Sequence, residues 1–570
     1  MLPDPIYPDP VDYVIITNKK LAPHFQKLLE WKRQKGLHAE ILTIDDLGSL
    51  DYPEELAKSI KSWLDQNRQE RGLAYALIGG DVTIVPAVNC YAPVKTGVDT
   101  YYSPGIPTDL YYACHKGNFN WDKNSNGKKG EADDDIEFHQ DILVSRIPVF
   151  NQETVEIVTE KIIDYEKNGK VNMSLLQTGS ELFGEVAEGI PDAQLIALTL
   201  YNQSIAPYWN GTRTEVFNSV NSPTPNKPIT PETLIDQFSK GYGFINVESH
   251  GNPEGWILDN GETFNNTHCS NIINPANYTF ISTNACFVNC YFTGLGLRTS
   301  LSHALITYPH TGVIGLWAST REGWGTKIGD SGPSQMFENA FFKALFQNPS
   351  ENKNLGKMAA WARWQFLNSG EPTGAIRWLL YSMNTLGDPE TPLFTTIPQN
   401  FTNVTTKVIS PDKAEIYSGE HASVICLSGT KNGEPYYQIS RNYGGANEFD
   451  LTPENLVLTI TKQNFLPFIV IGKENILKLG QQQSSQNIIN VNLLTLEESG
   501  ISINLSLMPA TTRNQVCFIT DIIGTQIRRY DWISETEDQF ISLDDLSSGY
   551  YTVTLYRDGV IVESKRIMVK

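Results

Sequence analysis

The sequence predicts an α/β protein with mainly parallel sheets, followed by two β-sandwich domains. From residue 11 onward, short apolar runs alternate with amphipathic stretches, the pattern of right-handed strand–helix–strand units. After residue 393 short alternating runs with turn residues between them replace the helical period, as in β-sandwiches. A chain of 570 residues is also too long for one hydrophobic core. We expect two α/β subdomains over 1–168 and 169–395, an immunoglobulin-like sandwich over 396–475 and a second sandwich over 476–570.

Apolar runs and helical periods define the first α/β series. Its strands are expected over 11–17, 38–44, 73–78 and 141–147. Its helices are expected over 22–35, from Pro53 onward and over 152–167. A Gly-Gly-Asp turn follows the third strand, but it lacks the lysine and the spacing of a phosphate-binding loop.

The second series surrounds two strands, 242–249 and 278–284, whose abrupt polar ends are typical of interior strands. A helix is expected to begin at Thr230-Pro231, where an N-cap residue precedes proline, and to end at Gly241. The remaining strands are expected over 175–179, 215–218 and 312–319, and the remaining helices over 191–203, 295–305, 333–347 and 355–368.

Charge and composition exclude several classes of function. The formal net charge is −20, which argues against a nucleic-acid partner because phosphate binding needs a basic surface. No apolar run reaches the roughly 20 residues needed to span a bilayer. Seven cysteines are too few for a disulfide framework in a chain of this length, and an odd number leaves at least one free thiol.

A histidine and a cysteine follow the two central strands. The first strand leads into His250 and the second into Cys286. Parallel strands end at the same edge of a sheet, about 4.8 Å from their neighbours, so the two side chains are expected to meet. A thiol beside an imidazole forms the nucleophile and base of a cysteine hydrolase. The sequence therefore predicts Cys286 as nucleophile and His250 as base.

Backbone and carboxylate groups complete the predicted site. Gly251 lets the backbone approach a substrate carbonyl, and its N–H with that of Cys286 is expected to form the oxyanion hole. Glu181, at the end of another strand, is predicted to orient the imidazole. Two alternatives remain open: Cys286 is a small buried hydrophobe, or it binds a metal with Cys290 and a histidine, either His250 or His268.

An acidic segment has the spacing of a calcium loop. Oxygen-bearing residues stand at loop positions one, three and five, a glycine at six and a carboxylate at twelve. The predicted ligands are Asp122, Asn124, Asn126, Asp133 and, at position seven, Lys128, where such loops use the backbone carbonyl. Asp133 stands where a glutamate is usual, and the alternative is a solvated polar turn. The expected cofactor is structural Ca²⁺, with none needed for catalysis.

The chain resembles the gingipain-type cysteine peptidases, a caspase-like clan, over residues 11–395 and into the sandwich that follows. The resemblance implies a caspase-like fold for the α/β part, peptide bonds as substrate, Cys286 as nucleophile, His250 as base and Glu181 as third member. The matching segments are LLEWKRQKGLHAEI, ALIGGDVTIVPA, ILVSRIPV, INVESHGNPEGW, FISTNACFVN, WASTREGW and LGDPETPLF.

The same resemblance implies specificity for arginine. The aspartate of the family's arginine pocket falls on Asp192, and a lid tryptophan falls on Trp324. A planar guanidinium would pair with the carboxylate and stack on the indole. Asp192 also fits the ordinary role of an acid at a helix N-terminus. Where the family has Gly-Asp soon after Cys-Val-Asn, this chain continues Phe-Val-Asn-Cys-Tyr, with Cys290 as a second thiol.

The last domain resembles the sorting domain of type IX secretion through ATTRNQVCFITDIIGTQIRRYDW and SGYYTVTLYRDGVIVESKRIMVK. This resemblance implies a secreted or surface-attached protein. A cysteine endopeptidase acting on proteins or peptides is the first hypothesis. The alternatives are a transpeptidase on the same fold, and a catalytically silent, calcium-stabilised adhesion module.

Overall fold

A computed structural model describes residues 9–480 and parts of the chain beyond. Within 9–480 the description omits 103, 116–119, 188, 221–226, 275–276, 292–298, 327–331, 349–351, 368–371 and 443–446. Beyond 480 it covers 494–496, 500–503, 514–521, 526–533, 539–543, 546–547, 549–557 and 560–569. The chain divides into two compact units, Met1–Leu479 and Gly480–Lys570.

The α/β part contains strands of three to seven residues and one two-residue bridge. In chain order the strands are β1 (Tyr13–Thr17), β2 (Ala39–Thr43), β3 (Tyr75–Gly79), β4 (Val88–Cys90), β5 (Val94–Thr96), β6 (Asp99–Tyr101), β7 (Ile106–Thr108), β8 (Leu143–Ile147), β9 (Ser174–Gly179), β10 (Glu185–Ala187), β11 (Ile190–Pro191), β12 (Thr212–Val216), β13 (Phe244–Glu248), β14 (His250–Asn252), β15 (Gly255–Ile257), β16 (Thr263–Asn265), β17 (Thr279–Thr283), β18 (Val313–Ser319) and β19 (Met383–Gly387).

Helices connect these strands. They are α1 (Gln26–Gln34), α2 (Pro53–Arg71), α3 (Gln152–Asn168), α4 (Asp192–Leu200), α5 (Pro231–Lys240), α6 (Asn266–Cys269), α7 (Leu301–Thr307), α8 (Pro333–Phe346), α9 (Leu355–Trp364) and α10 (Gly374–Ser382). Short 3₁₀ turns lie at Ala22–Phe25, Ile44–Asp46 and Leu110–Tyr112, and a π-helical turn at Tyr201–Ile205 extends α4. No helix among the described residues is both long and apolar enough to cross a membrane.

Ten strands form one continuous sheet in the order β12-β9-β13-β17-β18-β19-β8-β3-β1-β2. All neighbours are parallel except β18 and β19. The predicted α/β class with mainly parallel strands is confirmed, but the two predicted subdomains share a single sheet. The joint is β19, which the sequence analysis missed because this short strand follows α10 without a loop. Since β19 is antiparallel to β18, strands on its two sides end at opposite edges.

A buried arginine anchors the joint between the two halves. Arg146 on β8 is fully buried and pairs with Leu386 of β19. Its guanidinium donates to both carboxylate oxygens of Asp109 at 2.8 and 2.6 Å, and to the carbonyl oxygens of Gly80 and Val85. This bidentate pair satisfies a charge that would otherwise be costly to bury.

Most predicted elements lie within a few residues of their expected positions. Helix α5 has Thr230 as its N-cap, Pro231 first and Gly241 at its end, as predicted. The helix expected over 295–305 is found as α7, although 292–298 lie outside the described residues. The strand expected over 215–218 is found earlier, as β12, because its pairing with β9 defines its limits.

The predicted sandwiches are both built from two sheets. Strands β20-β21-β24 and β23-β22-β25-β26 form the first, with a short helix α11. Strands β27-β28-β31 and β30-β29-β32-β33 form the second. The elements are β20 (Thr405–Ser410), β21 (Lys413–Tyr417), β22 (Ser423–Lys431), β23 (Glu434–Asn442), β24 (Glu448–Asp450), β25 (Glu454–Thr461), β26 (Phe468–Ile471), α11 (Lys473–Lys478), β27 (Leu494–Leu496), β28 (Gly500–Ile503), β29 (Asn514–Asp521), β30 (Gln526–Ile533), β31 (Gln539–Ser542), β32 (Gly549–Arg557) and β33 (Val560–Val569).

Candidate active site

The two central strands are direct neighbours. β13 and β17 are parallel and fully buried, with Val247 opposite Thr283. The segments that follow the two strands leave the same edge of the sheet, where they carry His250 and Cys286. A Cβ added at Gly251 would lie 2.4 Å from the carbonyl oxygen of Cys286 and 3.1 Å from its nitrogen. Only glycine permits this contact, so the backbone after the histidine lies directly against the cysteine.

Cys286 lies in a tight, half-buried turn. The next residue, Phe287, has a positive φ of 62°, and its N–H donates to the carbonyl oxygen of Arg321. The sulfur accepts a hydrogen bond from the N–H of Gly323 at 3.2 Å. Burial raises the pKa of the Cys286 thiol, and the Gly323 N–H offsets only part of this effect. The resting thiol is therefore protonated at neutral pH and needs a base.

The imidazole of His250 is exposed and is held from one side. Its Nε2 lies 2.6 Å from the carbonyl oxygen of Leu182. A carbonyl oxygen can only accept, so Nε2 carries the hydrogen and Nδ1 of the neutral ring is left as the base. Among the described contacts, Cys286 and the imidazole share no hydrogen bond. Such bonds commonly tighten only when substrate is bound.

Glu181 lies beside this contact without forming it. Its side chain is exposed, and its backbone N–H donates to Asp259 Oδ1 at 3.3 Å. In the described structure the hydrogen-bond partner of the imidazole is the carbonyl oxygen of the next residue, Leu182, and the ring of Phe183 packs edge-on against the imidazole with centroids 6.0 Å apart. The orienting role of Glu181 stays a prediction.

Asp192 is the first residue of α4 and is only 2% exposed. One carboxylate oxygen accepts the N–H groups of Leu182 and Ala193, each at 2.9 Å, and the other accepts the N–H of Phe183 at 2.8 Å. These donors are neutral backbone groups, and no cation pairs with this carboxylate in the described residues. The structure is compatible with both roles foreseen for Asp192, since it is an acid in the first turn of a helix and also a buried carboxylate without a cationic partner among the described residues.

Trp324 belongs to an aromatic cluster. Its backbone N–H donates to Ser334 Oγ at 2.8 Å. Its half-buried ring packs edge-on against the rings of Tyr101 and Trp378, with centroids 5.6 and 5.5 Å away. The sequence analysis missed Tyr101, because the β5–β6 hairpin that carries it is distant in the chain. The next residue, Gly325, lies against the ring of Phe183. The Trp324 loop therefore meets the 182–183 segment, which Asp192 holds, at the candidate site.

Two buried glutamates lie beneath the strand ends, and the sequence analysis did not identify them. Glu248 on β13 and Glu338 on α8 both accept a hydrogen bond from the side-chain amide of Asn246, and both are at most 1% exposed. Glu338 also accepts from Ser282, and Glu248 from Asn284, both beside β17. Burial raises the pKa of both carboxyl groups, and for Glu338 the adjacent Glu248 raises it further. The hydrogen bonds of this pair connect the histidine strand to the cysteine strand.

The side chains of the predicted calcium loop converge. Asn124 donates to Asp133 at 3.0 Å and Asn126 donates to Glu131 at 2.6 Å, while Asp122 accepts the N–H of Gly127. The side chains of these residues also carry hard oxygen atoms, the type of ligand that Ca²⁺ prefers. Glu131, at position ten, is an additional oxygen donor that the loop pattern did not include.

The alternative of a metal held by cysteine and histidine has no support in the described residues. Cys290 lines a separate cavity with Arg146 and His303. His268 instead accepts the N–H of Asn265. The described residues contain one compact carboxylate group, formed by Glu166, Asp388 and Glu390, and its oxygens pair with the ammonium groups of Lys32 and Lys35.

Comparison with known proteins identifies the family. Residues 6–394, more than half of the chain, match peptidase family C25. The chain belongs to peptidase family C25. The family consists of cysteine peptidases, so the predicted enzyme class and the gingipain-type resemblance are confirmed.

The relatives are distant and longer. Gingipain R2 and gingipain R1 of Porphyromonas gingivalis are each 22% identical over 319 residues, which is 55% of this chain. This chain spans only 38% and 28% of their respective lengths. The crystal structure of the Arg-specific cysteine proteinase gingipain R matches 82% of this chain and 99% of its own, with 19% identity and a TM-score of 0.61. That similarity shows the shared fold.

The buried glutamate pair predicts a pH-dependent stability. A raised pKa in the folded state gives stability that is complete below the ordinary value of 4.5 and is lost as the pH rises through the raised value. The melting temperature of the wild type should therefore fall as the pH rises above 4.5 and through the raised pKa of Glu338. Glu338→Gln should flatten this dependence, measured by differential scanning calorimetry. Glu160→Gln, at an exposed glutamate, should leave it unchanged, and equal slopes in all three proteins would contradict the prediction.

Proposed function

We propose that this chain is a cysteine endopeptidase in which Cys286 is the nucleophile and His250 the base. The observation that carries the proposal is the pairing of β13 with β17, which brings both residues to one sheet edge with Gly251 against Cys286. The contact of Nε2 with the Leu182 carbonyl supports the assignment of Nδ1 as the proton acceptor.

The reaction follows from these positions. Nδ1 of His250 takes the proton of the Cys286 thiol as the sulfur attacks the scissile carbonyl carbon. The resulting oxyanion is stabilised by the N–H groups of Gly251 and Cys286. The imidazolium then gives its proton to the departing amine as the C–N bond breaks. A water molecule, deprotonated by Nδ1, hydrolyses the thioester and releases the acid and the thiol.

Cys286→Ala should abolish both peptide hydrolysis and labelling by a peptide probe with a thiol-reactive group. The rate should fall by roughly 10⁶-fold, as when a nucleophile is removed from a catalytic unit. The measurements are initial rates on a fluorogenic peptide and mass spectrometry of the labelled protein. Cys290→Ala, at the buried second thiol, is the matched control and should retain both. Labelling at Cys290 or activity in Cys286→Ala would refute the assignment.

Adding an amine nucleophile and analysing the products separates hydrolysis from transpeptidation.

The proposal extends to cleavage after arginine or another basic residue. Asp192 has only neutral partners in the described structure, and Glu248 adds a second acidic group nearby. A carboxylate has about four lone-pair positions, and the three N–H donors leave one for a substrate. A buried charge without a counter-ion favours a cationic ligand. Gingipain R, which shares the fold, is an Arg-specific cysteine proteinase and points the same way.

Peptides that differ only in arginine or citrulline before the scissile bond test this specificity. Citrulline keeps the shape of arginine and loses its charge. The arginine peptide should have a kcat/KM about 100-fold higher, about 3 kcal/mol, because it pairs the buried carboxylate. In Asp192→Asn the ratio of the two values should fall towards one. A ratio near one in the wild type would exclude an acidic pocket and leave the peptidase assignment intact.

Structural Ca²⁺ at the 122–133 loop is a further part of the proposal. Asp122, Asn124, Asn126, Asp133 and the Lys128 carbonyl would hold the ion, and it would supply stability only. The loop is anchored to α10, because Arg377 donates to the carbonyl oxygens of Gly130 and Glu131 at 2.8 and 2.5 Å. Ordering this loop therefore stabilises the helix that leads into β19.

A chelator should lower the melting temperature by several degrees, because an ion at 100 times its Kd contributes about 2.7 kcal/mol. Differential scanning fluorimetry with and without excess CaCl₂ measures the effect. In Asp122→Ala the response should be lost. It should persist in Asp135→Ala, where the exposed carboxylate pairs with Lys123 outside the ligand set. A wild-type protein insensitive to chelation would refute the site.

Export is the last part of the proposal. The curated gingipain relatives and the resemblance of 476–570 to a sorting domain support a secreted or surface-attached enzyme whose C-terminal unit serves attachment. The net charge of −20 is consistent with that setting.

A further inference from the structure

One peptide group lies between a buried carboxylate and the candidate base. The Leu182–Phe183 peptide donates its N–H to Asp192 Oδ2 at 2.8 Å. The carbonyl oxygen of the same peptide accepts from His250 Nε2 at 2.6 Å. The three groups form a continuous chain of two hydrogen bonds, from carboxylate to peptide to imidazole.

We propose that Asp192 is a positioning residue for His250, acting through the Leu182–Phe183 peptide group. This inference rests on the proposed function, because it concerns how the base of that reaction is held. It gives Asp192 a role towards the imidazole in addition to any role towards substrate.

The contacts of Asp192 exceed what capping a helix requires. Of its three N–H donors, only Ala193 belongs to α4, and the other two belong to the segment that holds the imidazole. At 2% exposure, solvent screens the carboxylate weakly. A charged acceptor strengthens its hydrogen bond and polarises the peptide, which makes the carbonyl oxygen at its other end a better acceptor.

This polarisation affects which nitrogen of the His250 imidazole carries the hydrogen. A stronger acceptor at Leu182 holds the hydrogen on Nε2 and so keeps Nδ1 unprotonated in the neutral ring. It also stabilises the imidazolium that forms when Cys286 loses its proton. A carboxylate that contacts the imidazole directly plays this part in other nucleophile–base pairs. Here the Leu182–Phe183 peptide replaces the direct contact, and Glu181 stays exposed at its side.

The first test is the tautomer of His250 in Cys286→Ala protein labelled with [¹⁵N]histidine. This background needs no activity, so its result is independent of the peptidase assignment. The imidazole ¹⁵N shifts at alkaline pH should show the Nε2–H form as predominant. Adding Asp192→Asn should convert it to a mixture of the two forms. An unchanged predominance of Nε2–H in folded Asp192→Asn would overturn the proposal.

Two further variants make the test specific. Asp259→Asn is the matched control, because Asp259 holds the same segment through the N–H of Glu181, and the Glu181–Leu182 peptide separates that group from the chain of bonds. It should leave the tautomer unchanged. Glu181→Gln should also leave it unchanged. A change in Glu181→Gln with none in Asp192→Asn would assign the orientation of the ring to Glu181 and overturn the proposal.

Activity provides the second readout. With Cys286 present and a citrulline peptide as substrate, Asp192→Asn should lower kcat about 10- to 100-fold, the loss expected for a misplaced catalytic group. KM should change little, since this substrate lacks the charge that Asp192 would bind. A loss confined to arginine peptides would assign Asp192 to the substrate pocket alone and overturn the positioning role.

If Asp192→Asn does not fold, the proposal can be tested by a measurement that leaves Asp192 unchanged. In Cys286→Ala protein labelled with [¹⁵N]phenylalanine, the amide signal of Phe183 should move with the pH titration of the His250 ring. The amides of Phe238 and Phe280 lie outside this chain of bonds and serve as references. A Phe183 signal that stays constant through the titration would show that the peptide does not link the two groups.

Discussion

The parallel pairing of β13 with β17 is the constraint on which the candidate site depends. Both strands are fully buried, so their register is held by main-chain hydrogen bonds and by packing on both faces. The backbone after each strand can change direction only once it has left the sheet, and both strands end at the same edge. The contact of Gly251 with Cys286 follows from this geometry. A shift of either strand by one residue would move its side chains to the opposite face.

Main-chain groups make most of the described polar contacts at this edge. A carbonyl oxygen holds the imidazole, a backbone N–H contacts the sulfur, and the predicted oxyanion donors are also backbone groups. Such groups are placed by the loops that bear them, and acidic side chains hold these loops: the buried Asp192 holds 182–183 and the partly buried Asp259 holds Glu181. Acidic side chains beneath the site therefore hold the backbone segment that contacts the imidazole.

The mixed sheet explains why the site draws its residues from one half of the α/β part. β9, β13, β17 and β18 end at the same edge, and the chain beyond them carries Leu182, His250, Cys286 and Gly323. β19 reverses the direction, so the parallel strands on its far side end at the opposite edge. The N-terminal half contributes through loops, as Tyr101 does beside Trp324, and through the buried pair of Arg146 and Asp109 at the joint.

The sequence by itself determined the strand–helix alternation, the two central strands and the residues at their ends. These features are local: apolar runs, capping residues such as Thr230, and glycines appear in the order in which the chain uses them. Only the tertiary structure decided which groups touch. The union of two half-sheets through β19, the contact of the imidazole with Leu182 instead of Glu181, and the Glu248–Glu338 pair each join residues distant in the chain. The periodicity of a sequence does not predict such contacts, because they form between buried polar groups that come together only when the elements pack.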